Sequence, residues 1–243
     1  MAAAESQTEK ITIVLADDHM MVRQGLRTVL EAEKDFSIIG EAGDGLEALR
    51  LAEKLSPQVL IADLNMPGIN GIEVVRQAKE RCPKTRIIIL TMHADTAYIE
   101  EALRFGAAGY LLKESPKSDL INAVRQVAAG QRYLTPEVSE LAIKGFIGKS
   151  HAADPYDELH DREREVLHLV AQGCTNIEIG KKLFISPRTV EVHRASMMQK
   201  LGLENHAQLM LYAVKRGIIV QTKSLEKPKP DAAKKKAERK KST

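Results

Sequence analysis

Five short apolar runs recur between residues 11 and 112, and several are apolar at every position instead of every second one. Residues 11–16 spell ITIVLA, 59–62 spell VLIA, and 86–91 contain IIIL. A strand with one wet face alternates between apolar and polar. A strand covered on both faces does not, and sheets covered on both faces are typically parallel. The other two runs lie at 36–39 and 108–112. Amphipathic segments around 22–32, 45–55, 71–81, 96–105 and 117–129 separate and follow them, with apolar residues three and four positions apart. Five strands alternating with five helices predict an α/β doubly wound domain over residues 11–130. Its five-stranded parallel sheet would be of the flavodoxin-like kind.

The next stretch, 131–158, holds a possible helix over 136–147 and then turns small and polar (GKSHAADPYDE), as a linker does. From 159 to 220 the strand pattern is gone. Helical segments follow one another, broken by Gly173, 184–186, Gly202 and Gly217. Two domains of different class are expected, the second small and all-α.

In an open parallel sheet, ligands bind outside the carboxyl ends of the strands. Here the first strand ends in Asp17-Asp18, the third in Asp63 and the fourth in Thr91, and Lys113 follows the fifth. Three clustered carboxylates repel one another, and a hard divalent cation relieves that. Magnesium, or manganese, suits the set, with Asp18 and Asp63 as direct ligands, Asp17 acting through water and the Asn65 backbone carbonyl adding an oxygen. Asp63 is best placed as nucleophile, because a carboxylate can form an acyl phosphate. Thr91 and Lys113 would then meet the phosphoryl oxygens. Taken singly, Asp17 and Asp18 could cap the following helix and Lys113 could be a solvated surface lysine. Their joint placement on one rim favours the phosphoryl chemistry.

Residues 11–129 resemble the receiver domain of bacterial two-component response regulators. The matching features are Asp17-Asp18, Asp63 before Met66-Pro67-Gly68, Thr91, and Tyr110 three positions before Lys113. The resemblance implies that Asp63 accepts a phosphoryl group from the phosphohistidine of a sensor histidine kinase. It also implies that Thr91 and Tyr110 then swing inward. One departure is Met92, where receivers often carry a small residue. Its bulk is expected to limit access of water and small phosphodonors.

In the second domain Thr175 and Glu178 form a capping box that opens a helix, which runs to Phe184-Ile185. Ser186 offers an N-cap and Pro187 a first-turn proline for a second helix. Two short helices joined by a tight turn make a helix-turn-helix, here 176–195. At about 100° per residue, Val190, Met197 and Leu201 face inward. Arg188, Val192, Ala195 and Gln199 face out, with Glu191 and Ser196 at the edges. Such a stripe suits a major-groove reader, since Arg bonds guanine and Val or Ala touches thymine methyls. Thr189, Arg194 and Lys200 flank it, where phosphates would pass. A small helical bundle for protein docking is the competing view.

Residues 159–217 resemble the LuxR-type helix-turn-helix domain, through Arg162-Glu163-Arg164-Glu165-Val166-Leu167, Thr175-Asn176, Thr189-Val190-Glu191, His193-Arg194 and Lys200-Leu201-Gly202. The whole chain thus looks like a NarL/FixJ-family response regulator. The family implies binding of double-stranded promoter DNA as a dimer on half-sites about 10 bp apart. The last helix, around 207–216, would be the dimer contact, and RNA polymerase a further partner. Glu191 and Ala195 stand where some members have lysines. Unphosphorylated, the receiver is expected to cover the recognition helix or to leave the protein monomeric.

The formal charge of +3 conceals a division. Residues 1–150 sum to −3, residues 151–222 to zero, and residues 223–243, with 9 basic and 3 acidic side chains, to +6. That Lys/Pro/Ala-rich tail is expected to be solvated, or else to tether the chain to nucleic acid. Cys82 and Cys174 cannot make a disulfide framework, which places the chain in a reducing compartment. Residues 1–10 carry two acids and no apolar run, and no stretch approaches a membrane span, so a cytoplasmic protein without a signal peptide is expected. The remaining histidines, including His160, His168 and His206, lack the spacing of a zinc motif.

Two other classes fit less well. A haloacid-dehalogenase-type phosphatase would place D-x-D after its first strand, where this chain has Asp-Asp-His. A small-molecule sensor on the same DNA-binding domain would have no use for the full acidic set. A regulator and not an enzyme is therefore expected.

Overall fold

Each continuously apolar strand divides its side chains between two cores, and this alternation shapes the first domain. In a computed structural model, which describes residues 10–147 and 154–218, the strands are β1 (Ile11–Ala16), β2 (Phe36–Ala42), β3 (Val59–Ala62), β4 (Arg86–Thr91), β5 (Gly109–Leu112) and β6 (Tyr133–Leu134). All pair in parallel in the order β2-β1-β3-β4-β5-β6. Val14, Leu60, Ile87, Ile89 and Tyr110 enter one core. That core also takes α2 (Gly45–Leu55), α3 (Gly71–Arg81) and α4 (Thr96–Phe105). Ile13, Leu15, Ile61, Ile88, Leu90 and Leu111 enter the other, under α1 (Met20–Glu31) and α5 (Lys117–Ala128).

The sheet has six strands where the apolar pattern predicts five. β6 is two residues long and pairs with the edge of β5, so no periodicity could announce it. It lies within the stretch expected to be a linker. The helix at 136–147 is present as α6 (Pro136–Ile147) and lies on α4, with Val138 and Ala142 buried. Much of the expected linker is therefore packed on the first domain. Of the expected polar stretch 148–158, residues 148–153 lie outside the described residues, as does the basic tail.

A 3-10 turn, Pro155–Glu158, leads into α7 (Asp161–Ala171), α8 (Asn176–Leu183), α9 (Pro187–Lys200) and α10 (His206–Lys215). α7 packs on α8, α9 and α10 around Val166, Leu167, Ile179, Val190, Met197 and Leu209, all buried. The buried apolar cluster on the α2–α3–α4 side of the sheet continues into this second domain. Among the described residues no helix is long and apolar enough to cross a membrane.

Candidate functional site

Parallel pairing brings the strand ends to one rim. The Asp17 N–H donates to the Ala42 carbonyl, Asp63 to Ala16, and Lys113 to Thr91, at 3.1, 2.8 and 2.8 Å. These ladder bonds carry the residues after β1, β3 and β5 to the same level. Asp17, Asp63 and Thr91 are buried there, and Asp18 is exposed at the mouth.

Lys113 reaches across the rim between two acids. Its Nζ lies 2.6 Å from Asp17 Oδ2 and 2.9 Å from Asp63 Oδ2. Burial raises the pKa of Asp63 above the usual carboxylate range, and the Lys113 ammonium opposes that shift. Burial alone would lower the Lys113 pKa, but its bonds to Asp17 and Asp63 overcome this and raise it. A half-buried cation shared by two buried carboxylates is a balance that a divalent ion or a phosphoryl group would upset.

Ligand atoms of Asp17, Asp18, His19 and Asp63 all lie within 4.8 Å of one another. Three hard oxygens and an exposed imidazole fit a divalent cation. His19 is the member that sequence reasoning missed, although it stands directly after Asp18. Its Nδ1 is 2.8 Å from Asp18 Oδ1, and its N–H donates to Asp17 Oδ1 at 2.8 Å. His19 is the N-cap residue of α1, and among the described residues no side chain caps that helix, so Asp17 and Asp18 do not take the capping role that either could have had alone.

Asn65 follows Asp63 by two residues, and its side chain pairs with His93 Nε2 at 2.6 Å. The His93 N–H in turn donates to Thr91 Oγ1 at 3.3 Å. Tyr110 is fully buried, its hydroxyl donating to the His93 carbonyl at 2.8 Å. Tyr110 thus already holds an inward position. Met92 is 59% exposed, at the surface above this network.

The second site is the α8–turn–α9 unit. The capping box is formed, with Thr175 N–H donating to Glu178 Oε2 and Glu178 N–H to Thr175 Oγ1. Ser186 caps α9 by accepting from Thr189 N–H at 3.0 Å. Between the helices, a Cβ added to Gly180 would come within 2.7 Å of the Ile185 carbonyl, so only glycine lets the turn close. Phe184 takes the left-handed conformation there, with φ of 58°.

Val190, Met197 and Leu201 are buried, as the helical rotation predicts. Arg188, Glu191, Val192, Ala195 and Gln199 are exposed, and Arg188 pairs with Glu191 at 3.0 Å. Thr189 is bonded to Ser186. Arg194 donates to Asn176 Oδ1 at 3.4 Å. One expected phosphate-side residue, Lys200, and one expected edge residue, Ser196, turn inward instead. Lys200 Nζ and Ser196 Oγ both donate to the buried Glu163, at 2.7 and 2.6 Å. Burial would raise the Glu163 pKa, yet Lys200, Ser196 and the His160 N–H pull it down to about 2. The outer stripe of α9 stays open to solvent and is not covered by the receiver.

An acidic phosphoryl-type rim on a doubly wound sheet, joined to an open helix-turn-helix, defines a signal-responsive DNA-binding regulator. The comparisons agree in each half. Residues 13–125 match the response regulator receiver domain, and residues 157–213 match the bacterial regulatory proteins of the luxR family. The oxygen regulatory protein NreC of Staphylococcus carnosus is 40% identical over 213 residues, covering 85% of this chain and 98% of that protein. The response regulator RcsB of Salmonella typhimurium is similar in structure, with a TM-score of 0.54 and 33% identity over 84% of this chain and 98% of that one. A structure of RcsB with DNA gives 0.53 at 33% identity and the same coverage. A LuxR-family two-component regulator from Aurantimonas sp. gives 0.55 at 33% identity, over 57% of this chain and 99% of that one. The chain belongs to the NarL/LuxR-type response regulators, a family of DNA-binding transcription regulators and not of enzymes.

Proposed function

We propose that Asp63 is the phosphoacceptor of a two-component system, loaded by a sensor histidine kinase in the cytoplasm. The observation that carries this is Lys113, shared between Asp17 and Asp63 at a buried rim. A carboxylate oxygen of Asp63 attacks the phosphohistidine phosphorus. The P–N bond breaks, an acyl phosphate forms, and the imidazole leaves with a proton from solvent. Asp18, Asp63 and the Asn65 carbonyl would hold magnesium or manganese, with Asp17 acting through water. The ion would neutralise charge on the transferring group. Lys113 and Thr91 then meet the new phosphoryl oxygens.

The receiver covers about residues 11–130 and the DNA-binding domain about 159–220. Arg188, Thr189, Glu191, Val192, Arg194 and Ala195 would face promoter DNA, and Ser196 and Lys200 would reach it only by leaving Glu163. Since α9 is open, phosphorylation would act on assembly and domain separation more than by unmasking the reader. Leu211 and Val214 expose apolar surface on α10, where a second copy of the chain would dock.

Incubation with acetyl phosphate and magnesium tests this reading. The wild type should gain one phosphoryl group and bind DNA more tightly, and Asp63→Ala should do neither. A phosphorylated Asp63→Ala, or DNA affinity indifferent to phosphorylation, overturns it.

A further inference from the structure

The second domain meets the receiver along a seam between α7 and α3. Asp161, Glu165, His168 and Gln172 follow one another at spacings of four, three and four, and so share one side of α7. At one end Arg81, the last residue of α3, reaches Asp161 at 3.2 Å and Glu165 at 3.4 Å. Midway, the Tyr156 hydroxyl lies 3.0 Å from Glu73 Oε2 and 3.1 Å from His168 Nε2. At the other end the Gln172 carboxamide engages one residue's peptide groups twice. The Gly68 N–H donates to Gln172 Oε1, and Gln172 Nε2 donates to the Gly68 carbonyl, both at 3.0 Å. A group that donates to and accepts from the same residue responds to its orientation as well as its position.

Gly68 is the fifth residue after Asp63 and sits in the loop that carries Asn65. Its φ of +82° needs glycine. The neighbouring parts of the loop are tied to the receiver itself. Gly71 N–H donates to Leu64 O at 2.9 Å, and Gly45 N–H to Pro67 O at 3.1 Å. The Gly68 groups instead go to the other domain. Leu64 and Met66 are buried on either side of Asn65, so a turn of the Asn65 carbonyl has only two residues, Met66 and Pro67, in which to die out before Gly68.

We propose that Gln172 is a positioning residue for phosphoryl uptake at Asp63. The docked DNA-binding domain holds the metal-site loop by the Gly68 peptide groups, and loading of Asp63 and release of Gln172 are two sides of one equilibrium. The proposal rests on Asp63 being the phosphoacceptor. Coupling between sites is reciprocal, so weakening the Gln172 hold tightens loading of Asp63, and loading loosens α7 from α3. One net hydrogen bond corresponds to about a fivefold change in an equilibrium constant, and two to roughly thirtyfold. The second domain would thereby sense loading of Asp63 at Gly68, a loop residue that it holds from outside the receiver.

The test uses the full chain as wild type, Gln172→Ala and Gln172→Glu. Gln172 is exposed at the seam's edge, so neither change removes core packing. Two quantities are read: amide hydrogen exchange over residues 64–72, and affinity for beryllofluoride in magnesium, a stable phosphoryl mimic. Gln172→Ala should speed exchange at Gly68 and tighten beryllofluoride binding about five- to thirtyfold. Gln172→Glu can accept from the Gly68 N–H but cannot donate to its carbonyl, and should fall between. In the wild type, beryllofluoride should speed exchange over residues 168–175. Affinity unchanged in both variants while the wild type binds the mimic overturns the proposal, even if exchange rises, since that pattern marks a merely structural contact. A folded wild type that takes up no beryllofluoride overturns the Asp63 reading itself, and the proposal with it.

Discussion

Tyr156, in the turn between the domains, donates its hydroxyl to Glu73 of the receiver at 3.0 Å, and both side chains are buried. Burial pushes the Glu73 pKa up from 4.5 to about 7, against the pull of Gln77 and the nearby Arg164 and Arg76. A raised folded-state pKa means that the protonated form is the stabilising one.

The contribution of Glu73 is therefore fully present below about pH 4.5 and is lost as pH rises through about 7. Glu73→Gln is neutral at every pH and keeps similar hydrogen bonds. Thermal unfolding of both proteins should show the variant gaining about 1–3 kcal/mol on the wild type between pH 5 and pH 8. The comparison cancels His168, whose pKa burial, with Arg216 and Arg164, lowers to about 3. Parallel stability curves would refute the assignment.

Lys113 separates two buried acids. Lys113→Met leaves Asp17 and Asp63 facing each other without a counter-charge, which costs about 3–5 kcal/mol. Magnesium should restore more stability to this variant than to the wild type, because it replaces the missing charge. Melting temperatures with and without the ion check this, and equal shifts in the two proteins would count against a cation site.

At the helix-turn-helix, Gly180→Ala drives a methyl group toward the Ile185 carbonyl, at 2.7 Å before relaxation. Because the obstacle is backbone, the expected loss is about 1–3 kcal/mol, confined to the second domain. DNA binding should weaken while beryllofluoride uptake at the receiver persists. Loss of both would show that the two domains do not separate in this way.

Arg188 and Lys200 should part company. Arg188 is 86% exposed and, among the described residues, pairs with Glu191 in its own helix. Its change to alanine should cost about 1–3 kcal/mol of binding to the preferred DNA sequence and leave the melting temperature unchanged. Lys200→Ala instead strips the buried Glu163 of its cation and should lower the melting temperature. The opposite pattern would move Lys200 into the DNA interface.

The tail at 223–243 carries 9 of the chain's 36 basic residues. If it meets phosphates, removing it should reduce the slope of log affinity against log salt by roughly 0.9 for each phosphate that the tail neutralises. A slope that stays the same would mark the tail as a solvated end.

The strand-end acids were legible because a parallel sheet obliges every strand to finish at the same rim, so local position along the chain is enough to group Asp17, Asp18, Asp63, Thr91 and Lys113. The two caps of the helix-turn-helix were legible for a similar reason, since Thr175, Glu178, Ser186 and Pro187 act within a few residues. β6 was not, because two residues carry no period and an edge pairing depends on where β5 lies. Rotation alone expects Lys200 beside the phosphates and Ser196 at the edge of the outward stripe, yet a carboxylate 37 residues upstream of Lys200 claims both.

By itself, then, the amino-acid order determined the alternation of strands and helices, the acidic rim and the two helices of the helix-turn-helix, all of which depend on local periodicity or on chain direction. Only the tertiary structure decided that His19 joins the rim, that α9 stays open, and that Gln172 closes on Gly68 across 104 residues. Such contacts depend on how two finished surfaces meet, and no spacing along the chain encodes that distance.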